Sequence, residues 1–183
     1  MCDTNVTNLI KKEGSFIPAI GCANTGTYTN EWTVMDDCGN NSVAFTQIIT
    51  VVDTTAPTMD TAAANATVQC DGQGNTAALQ AWLTSNGGAS ASDTCSNVTW
   101  SNNFSALSDS CGNTGTATVT FTATDGCGNA TTTSATFTIQ DTTAPTIDIV
   151  ATNATVECDG NGNPEALTAW LASNGGGAAS DNC

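Results

Sequence analysis

The feature that most constrains this chain is that it repeats itself. Asp53-Thr54-Thr55-Ala56-Pro57-Thr58 returns as Asp141-Thr142-Thr143-Ala144-Pro145-Thr146. Val68-Gln69-Cys70-Asp71-Gly72 returns as Val156-Glu157-Cys158-Asp159-Gly160, and Leu79-Gln80-Ala81-Trp82-Leu83 as Leu167-Thr168-Ala169-Trp170-Leu171. Ser92-Asp93-Thr94-Cys95 returns as Ser180-Asp181-Asn182-Cys183, and all four matches share the offset of 88 residues that separates Asp53 from Asp141. An earlier copy shows at an offset of 89: Cys22-Ala23-Asn24-Thr25-Gly26-Thr27 matches Cys111-Gly112-Asn113-Thr114-Gly115-Thr116, and Cys38-Gly39-Asn40 matches Cys127-Gly128-Asn129. A fixed period of this length means a string of like-folded units. The chain therefore reads as the back half of one module (1–52), one whole module (53–140) and the front half of a third (141–183).

Within the whole module, residues 116–124 alternate strictly. Ala117, Val119, Phe121 and Ala123 take one face and five Thr the other, which is the pattern of a half-buried strand. Asp125-Gly126-Cys127-Gly128-Asn129 is a turn, and 133–140 is the return strand with Ala135, Phe137 and Ile139 inward. Residues 98–100 and 65–70 make two more short strands. One segment has helical period: Ala78, Leu79, Trp82 and Leu83 recur on one face. In the third copy Asn163-Pro164-Glu165 reads as N-cap, first-turn proline and first-turn acid, and Asn174-Gly175 as the stop. Mainly β modules of about 88 residues with one short inserted helix follow, as small sandwiches.

Composition closes off several functions. Formal net charge is −15, from 17 acids against 2 Lys+Arg, and there is no His. Such a chain lacks the cations that neutralise phosphates, which excludes nucleic acid, and it does not suit an anionic membrane surface. Without His it lacks the commonest general base and transition-metal ligand. No Ser or Cys has a His partner, and carboxylates that recur once per module suit turns better than glycoside hydrolysis. The reading is therefore not an enzyme. Apolar content of 39% in short alternating runs argues against an acidic disordered tail.

Nine Cys without any C-x-x-C point to disulfides rather than zinc, and hence to a secreted or cell-surface protein. Residues 1–20 hold no continuous apolar run of signal-peptide type, with Lys11 and Lys12 interrupting them, so the sequence reads as a mature form or a fragment. No apolar run approaches membrane-spanning length, and membrane insertion is not expected.

The boundary hexapeptide 141–146, the segment 92–95 and Thr122-Ala123-Thr124-Asp125-Gly126-Cys127-Gly128-Asn129 carry a family resemblance. The chain resembles hyalin-repeat-like (HYR-like) immunoglobulin-fold modules of long secreted surface proteins, particularly of Bacteroidota. The resemblance implies tandem Ig-like antiparallel β-sandwiches used as stalks, adhesin arms or filaments, with no catalytic residue. The helical Trp-Leu insert departs from the plain hyalin repeat.

If the sandwich is Ig-like, Cys95 and Cys127 lie in loops at one end and Cys70 and Cys111 at the other. Cys111 and Cys127 flank a strand too long for a disulfide to span. The expected pairs are Cys95–Cys127 and Cys70–Cys111, with Cys2–Cys38 by equivalence. Cys22, Cys158 and Cys183 are then left for partners outside this stretch or in another subunit. In one reading the 183 residues are a window on a longer tandem chain. In the other, the front half of one subunit completes the back half of the next by strand complementation, with Cys158 bonding Cys22 of the neighbour. The window reading is favoured, because Cys183 and Cys2 occupy the same repeat position. Both give a linear, head-to-tail string of modules.

Calcium is the one ligand the residues argue for. Thirteen of the 17 acids are Asp, and Asp141, Asp71, Asp109 and Asp181 would converge at the linkers; the plainer role is that Asp makes turns. Candidate glycosylation positions are Thr54, Thr61 and Thr142 in Asp-Thr motifs and Asn65 and Asn97 in Asn-x-Thr motifs. Trp82, Trp100, Trp170 and Trp32 read as core. Asn30 breaks the inward apolar pattern of its strand. The Thr ladder 116–124 invites comparison with flat ice-binding arrays, though a twisted strand is a poor lattice. The expected function is an extracellular structural repeat forming a stalk or filament. The alternative is a calcium-dependent adhesin arm gripping cell-surface glycan.

Overall fold

The computed structural model describes residues 8–108 and 110–183. The protein is mainly β, with 39% strand and 14% helix. In chain order the elements are β1 (Asn8–Lys12), β2 (Phe16–Pro18), β3 (Gly26–Met35), β4 (Phe45–Val51), β5 (Thr58–Thr61), β6 (Ala66–Gln69), α1 (Thr76–Thr84), β7 (Ser90–Ser92), β8 (Thr99–Asn102), β9 (Gly115–Thr124), β10 (Ala130–Gln140), β11 (Thr146–Ile149), α2 (Pro164–Ala172) and β12 (Ala178–Ser180). Among the described residues they form four sheets. β3 lies between β4 and the pair β1 and β2, the order β6-β10-β9-β8 makes a second sheet, and β5-β7 and β11-β12 are two-stranded.

The long strands β9 and β10 follow from their alternation. Along β9, Ala117, Val119, Phe121 and Ala123 are buried while their Thr neighbours are more exposed. Along β10 the same holds for Ala135, Phe137 and Ile139. On the outward face Thr118 and Thr136 share a hydroxyl hydrogen bond of 3.0 Å, and Thr120 and Ser134 one of 2.9 Å. The Thr ladder is thus a set of cross-strand pairs that supports the sheet.

β6 pairs with β10 in parallel, with Phe137 opposite Ala66 and Ile139 opposite Val68. The sheet is therefore not wholly antiparallel, as was expected. β6 and β10 are far apart in sequence, so no hairpin sets their direction. Elements 88 residues apart copy each other closely. β5-β7 and β11-β12 are both antiparallel pairs, and the register slips at the corresponding places, Met59/Thr61 and Ile147/Ile149.

The helices end where sequence says they should. After α1 and α2 the chain tightens into a 3-10 turn at Asn86–Gly88 and Asn174–Gly176. Gly175 sits at φ 64°, and a Cβ there would press on the Trp170 ring. The start of α2 differs from expectation. Asn163 is left-handed, at φ 54°, and makes no capping bond. Its Oδ1 accepts from the Asp159 N–H (3.2 Å) and its Nδ2 donates to the Glu157 carbonyl (2.6 Å), so the side chain is committed to the preceding loop.

By contact density the chain divides into two compact units, and neither coincides with a sequence repeat. One is Met1–Ala64, Leu83–Phe104 and Val119–Ala135; the other is Asn65–Trp82, Ser105–Thr118 and Thr136–Cys183. In the first, Val119, Phe121, Ala123 and Ala135 are buried. In the second, Trp82 packs its ring 5.5 Å from that of Phe137, and both are buried, as are Ile139 and Cys70. Each unit thus combines residues of the whole repeat with residues of one flanking half.

Candidate functional site

Each unit is closed by a disulfide. In the first, Cys22 is bonded to Cys127, with Cα atoms 4.6 Å apart. In the second, Cys70 is bonded to Cys183, Cα atoms 6.3 Å apart. Both span more than a hundred residues of sequence, 105 and 113. This corrects the expected pairs Cys95–Cys127 and Cys70–Cys111, in which each copy bonds within itself. Cys95 and Cys127 do fall in the same unit, as do Cys70 and Cys111. In each unit, however, the bonded partner comes from the adjoining copy. Cys22 and Cys183 are not left over, and Cys22 is not available to a neighbour's Cys158. Cys38, Cys95, Cys111 and Cys158 are free thiols, three of them exposed and Cys95 half-buried. The Cys2–Cys38 expectation and Asp109 lie outside the described residues.

The reason lies in how closely the loops meet. In the first unit Asn24 Nδ2 donates to the Cys95 carbonyl at 2.8 Å, and a Cβ on Gly126 would strike the Gly21 carbonyl oxygen. In the second, Asn182 Nδ2 donates to the Cys70 carbonyl at 3.3 Å, and a Cβ on Gly72 would meet the Asn182 carbonyl at 2.7 Å. Gly112, at φ 58°, lies against the Cys183 carbonyl, where no Cβ fits. Glycine at these positions lets backbone touch backbone, and the cysteines beside them come within bonding reach.

Aspartates hold these loops in shape. Asp125 is buried; its Oδ1 accepts from the N–H groups of Cys127 and Asn129 (both 2.8 Å) and its Oδ2 from Asn129 Nδ2 (2.8 Å). Burial pushes its carboxyl up, but the bonds from Asn129 and Cys127 outweigh this and hold it below the ordinary value. Asp36 repeats the arrangement with Asn40 and Cys38, at 2.8 and 3.0 Å, and is lowered chiefly by the Asn40 side chain. Asp71 accepts from Gln73 and Asn75, and Asp159 from Asn161 and Asn163, and these backbone bonds lower both carboxyls. Asp93 Oδ1 accepts from Cys95 and Ser96, and Asp181 Oδ1 from Cys183. The sequence motifs Asp-x-Cys and Asp-x-x-x-Asn carry this signal.

Of the residues proposed for calcium, Asp71 and Asp181 serve the turns just described. Asp141 Oδ1 accepts from the Thr143 N–H (2.9 Å) and from Gln69 Nε2 (3.0 Å). Among the described residues the one group with metal-ligand spacing is Asp53, Asp93 and Cys95, whose ligand atoms lie within 4.8 Å of one another. Asp53 Oδ2 is buried there without a hydrogen-bond partner. Asp53 and Asp93 are the repeat counterparts of Asp141 and Asp181.

Thr54, Thr61, Thr142, Asn65 and Asn97 are all exposed. The Thr142 hydroxyl donates to Gln69 Oε1 (2.9 Å), and Asn65 Oδ1 accepts from the Thr136 N–H (2.8 Å). Trp82 is buried, whereas Trp32, Trp100 and Trp170 are only half-buried. Trp32 lies under Lys11 Nζ, 5.6 Å from the ring centre. Asn30 is explained: it is buried, and its Oδ1 accepts from the Gly14 N–H (3.2 Å). The two disulfides fit an oxidising compartment. Among the described residues no helix is long and apolar enough to cross a membrane. Compared with known proteins, the chain matches no family model and no curated sequence.

Proposed function

We propose that this chain is a structural element of an extracellular stalk or filament, a run of Ig-like sandwich modules of hyalin-repeat-like kind sewn end to end by disulfides. The observation that carries the reading is that both disulfides join one repeat copy to the next, Cys22 to Cys127 and Cys70 to Cys183. A cross-link between two copies both steadies the unit that it closes and stops the copies from parting. Tension along such a string passes through covalent bonds as well as through the Asp53-Thr54-Thr55 linker. The net charge of −15 keeps neighbouring strings apart. Partners are like modules, head to tail, with no nucleic acid and no membrane insertion.

Electron microscopy of native material tests this. The expected image is a thin string with an axial repeat near one module length, which loosens and bends on reduction. Compact particles, or strings indifferent to reductant, would overturn it.

The second reading is the calcium-dependent adhesin arm. It is favoured by the neighbouring carboxylates of Asp53 and Asp93 and by the unpartnered Asp53 Oδ2. Calorimetric titration with Ca²⁺ and then EDTA decides it: saturable heat lost in Asp53→Asn supports the arm, and no heat removes it.

A further inference from the structure

In each compact unit a third cysteine stands at the loops that the disulfide joins, and it belongs to the same copy as one of the bonded pair. In the first unit this is Cys95, and Cys127 is the bonded member of its copy. The loop of Cys95 meets the loops of both bonded partners. The Cys95 carbonyl accepts from Asn24 Nδ2, in the loop of Cys22, at 2.8 Å, and Ser96 Oγ accepts from the Gly126 N–H, next to Cys127, at 2.7 Å. In the second unit the third cysteine is Cys111, and Cys70 is the bonded member of its copy. Asn113 Nδ2 donates to the Gly72 carbonyl, in the loop of Cys70, at 3.1 Å, and Gly112 lies against the Cys183 carbonyl. Cys95 and Cys111 both lie in the whole repeat, and both are thiols.

Two sets of pairs are therefore open to the same loops. The bonds present, Cys22–Cys127 and Cys70–Cys183, join one copy to the next across 105 and 113 residues of sequence. The pairs Cys95–Cys127 and Cys70–Cys111 lie within the whole repeat and close far shorter stretches of chain. While the loops of adjoining copies are apart, loop closure favours the shorter stretches. Once they dock, close backbone contact favours the longer ones: Gly126 admits the Gly21 carbonyl and Gly112 the Cys183 carbonyl, where a Cβ would intrude. The shared members are held in place. The Cys127 N–H is fixed by the buried Asp125 carboxylate at 2.8 Å, and the Cys70 N–H by the Gln140 carbonyl at 2.8 Å.

Resting on the reading of copies sewn together by cross-links, we propose that each disulfide is one position of an exchange switch. Cys127 bonds Cys22 when the loops are docked and Cys95 when they part; Cys70 bonds Cys183 or Cys111 in the same way. On opening, the Cys95 sulfur gives its proton to solvent and attacks Cys127 Sγ. The Cys95–Cys127 bond forms, the Cys22–Cys127 bond breaks, and Cys22 Sγ leaves as a thiolate that takes up a proton. In the second unit Cys111 attacks Cys70 Sγ and Cys183 leaves. One thiol and one disulfide enter and one of each emerges, so no oxidant or reductant is consumed. Each step turns a bond between copies into a bond within the whole repeat. The join is released while the repeat stays cross-linked, and docking of the loops drives the reverse step.

The test uses the full 183-residue chain, incubated without added thiol or oxidant, alkylated with iodoacetamide and mapped without reduction. The parent is expected to hold mainly Cys22–Cys127 and Cys70–Cys183, with label on Cys95 and Cys111. Gly126→Ala presses on the Gly21 carbonyl. It should move label from Cys95 to Cys22 and raise the ratio of Cys95–Cys127 to Cys22–Cys127 by roughly tenfold, leaving Cys70–Cys183 in place. Gly112→Ala should do the converse, moving label from Cys111 to Cys183. Adding Cys95→Ser to Gly126→Ala should leave Cys22 unlabelled, because the exchange has lost its attacking thiol. Bonds that keep the parent ratio in both glycine variants, or a Cys22–Cys95 pair, overturn the switch while the string of modules stands. A parent that holds neither Cys22–Cys127 nor Cys70–Cys183 takes the module reading down with it.

Discussion

The middle repeat and its flanking halves run the same sequence pattern through different surroundings. Where β10 has β6 at its side and α1 above it, Phe137 and Ile139 vanish from the surface and the Trp82 ring lies against Phe137. β4 has neither among the described residues, and Ile49 and Val51 stay in reach of water. Nor is Trp32, at the position of the fully buried Phe121, enclosed. The residues differ little in hydrophobicity, so the contrast follows the neighbours that each strand has among the described residues. The lesson is that one sequence pattern buries its apolar residues only where a neighbouring strand and a helix cover it, while each cross-link forms where two copies meet.

The sharpest way to break the comparison is at the cross-link. Replacing both Cys70 and Cys183 by Ser frees a loop of 113 residues. Loop-closure entropy puts the loss at about 4–5 kcal/mol. For a chain of this size that is a fall in Tm of roughly 10–15 °C. A fall seen only in near-UV signals from Trp170, with the Trp82 region unmoved, would confine the role of the bond to the carboxy-terminal half.

A smaller effect separates the repeats themselves. Phe137→Ala removes a fully buried ring and should cost about 3–5 kcal/mol in urea unfolding. Ile49→Ala, at the matching position, should cost less than about 1 kcal/mol in the single chain because the side chain is already half in water. Equal losses would mean that the two positions are not equivalent.

Much of this was legible beforehand. The alternation of Ala117 to Ala123 against Thr forecast β9 and its inward face, and the Ala78-Leu79-Trp82-Leu83 face forecast α1. The turn at 125–129 was visible in its residues, although the buried carboxylate that organises it was not, since Asp in a turn looks the same whether wet or dry. Three things lay outside local pattern. β6 runs parallel to β10 because strands far apart in sequence meet with no turn to fix their direction. The purpose of Asn30 was hidden because its partner is the backbone N–H of Gly14, and a backbone group has no sequence signature. The cysteine partners were the largest gap. Spacing placed Cys95 with Cys127 and Cys70 with Cys111 in shared units, but each of these units also brings in a cysteine of the adjoining copy from a different repeat position, Cys22 (the place of Cys111) beside Cys127 and Cys183 (the place of Cys95) beside Cys70. Only the approach of backbone to Gly126, Gly72 and Gly112 decides between them.

The weakest of the expected effects concerns those loops. Asp125, Asp36, Asp71 and Asp159 are all held below their ordinary values by bonds to the ionised form. A folded-state value below the unfolded one gives stability that is fully present above the unfolded value, about 3.9, and is lost as pH falls through the folded one. The urea midpoint should therefore hold level at neutral pH and decline below about pH 4. Asp125→Asn keeps the side-chain shape but loses the charge, and should lower the midpoint at pH 7 while flattening its decline in acid. The same change at Asp36 makes the finer comparison. Its bonds match those of Asp125, but it is less buried and its loop carries a free Cys38, so its loss should move the midpoint less. If Asp36→Asn instead slows the reaction of Cys38 with a small-molecule disulfide, the carboxylate's work is to present that thiol rather than to steady the chain.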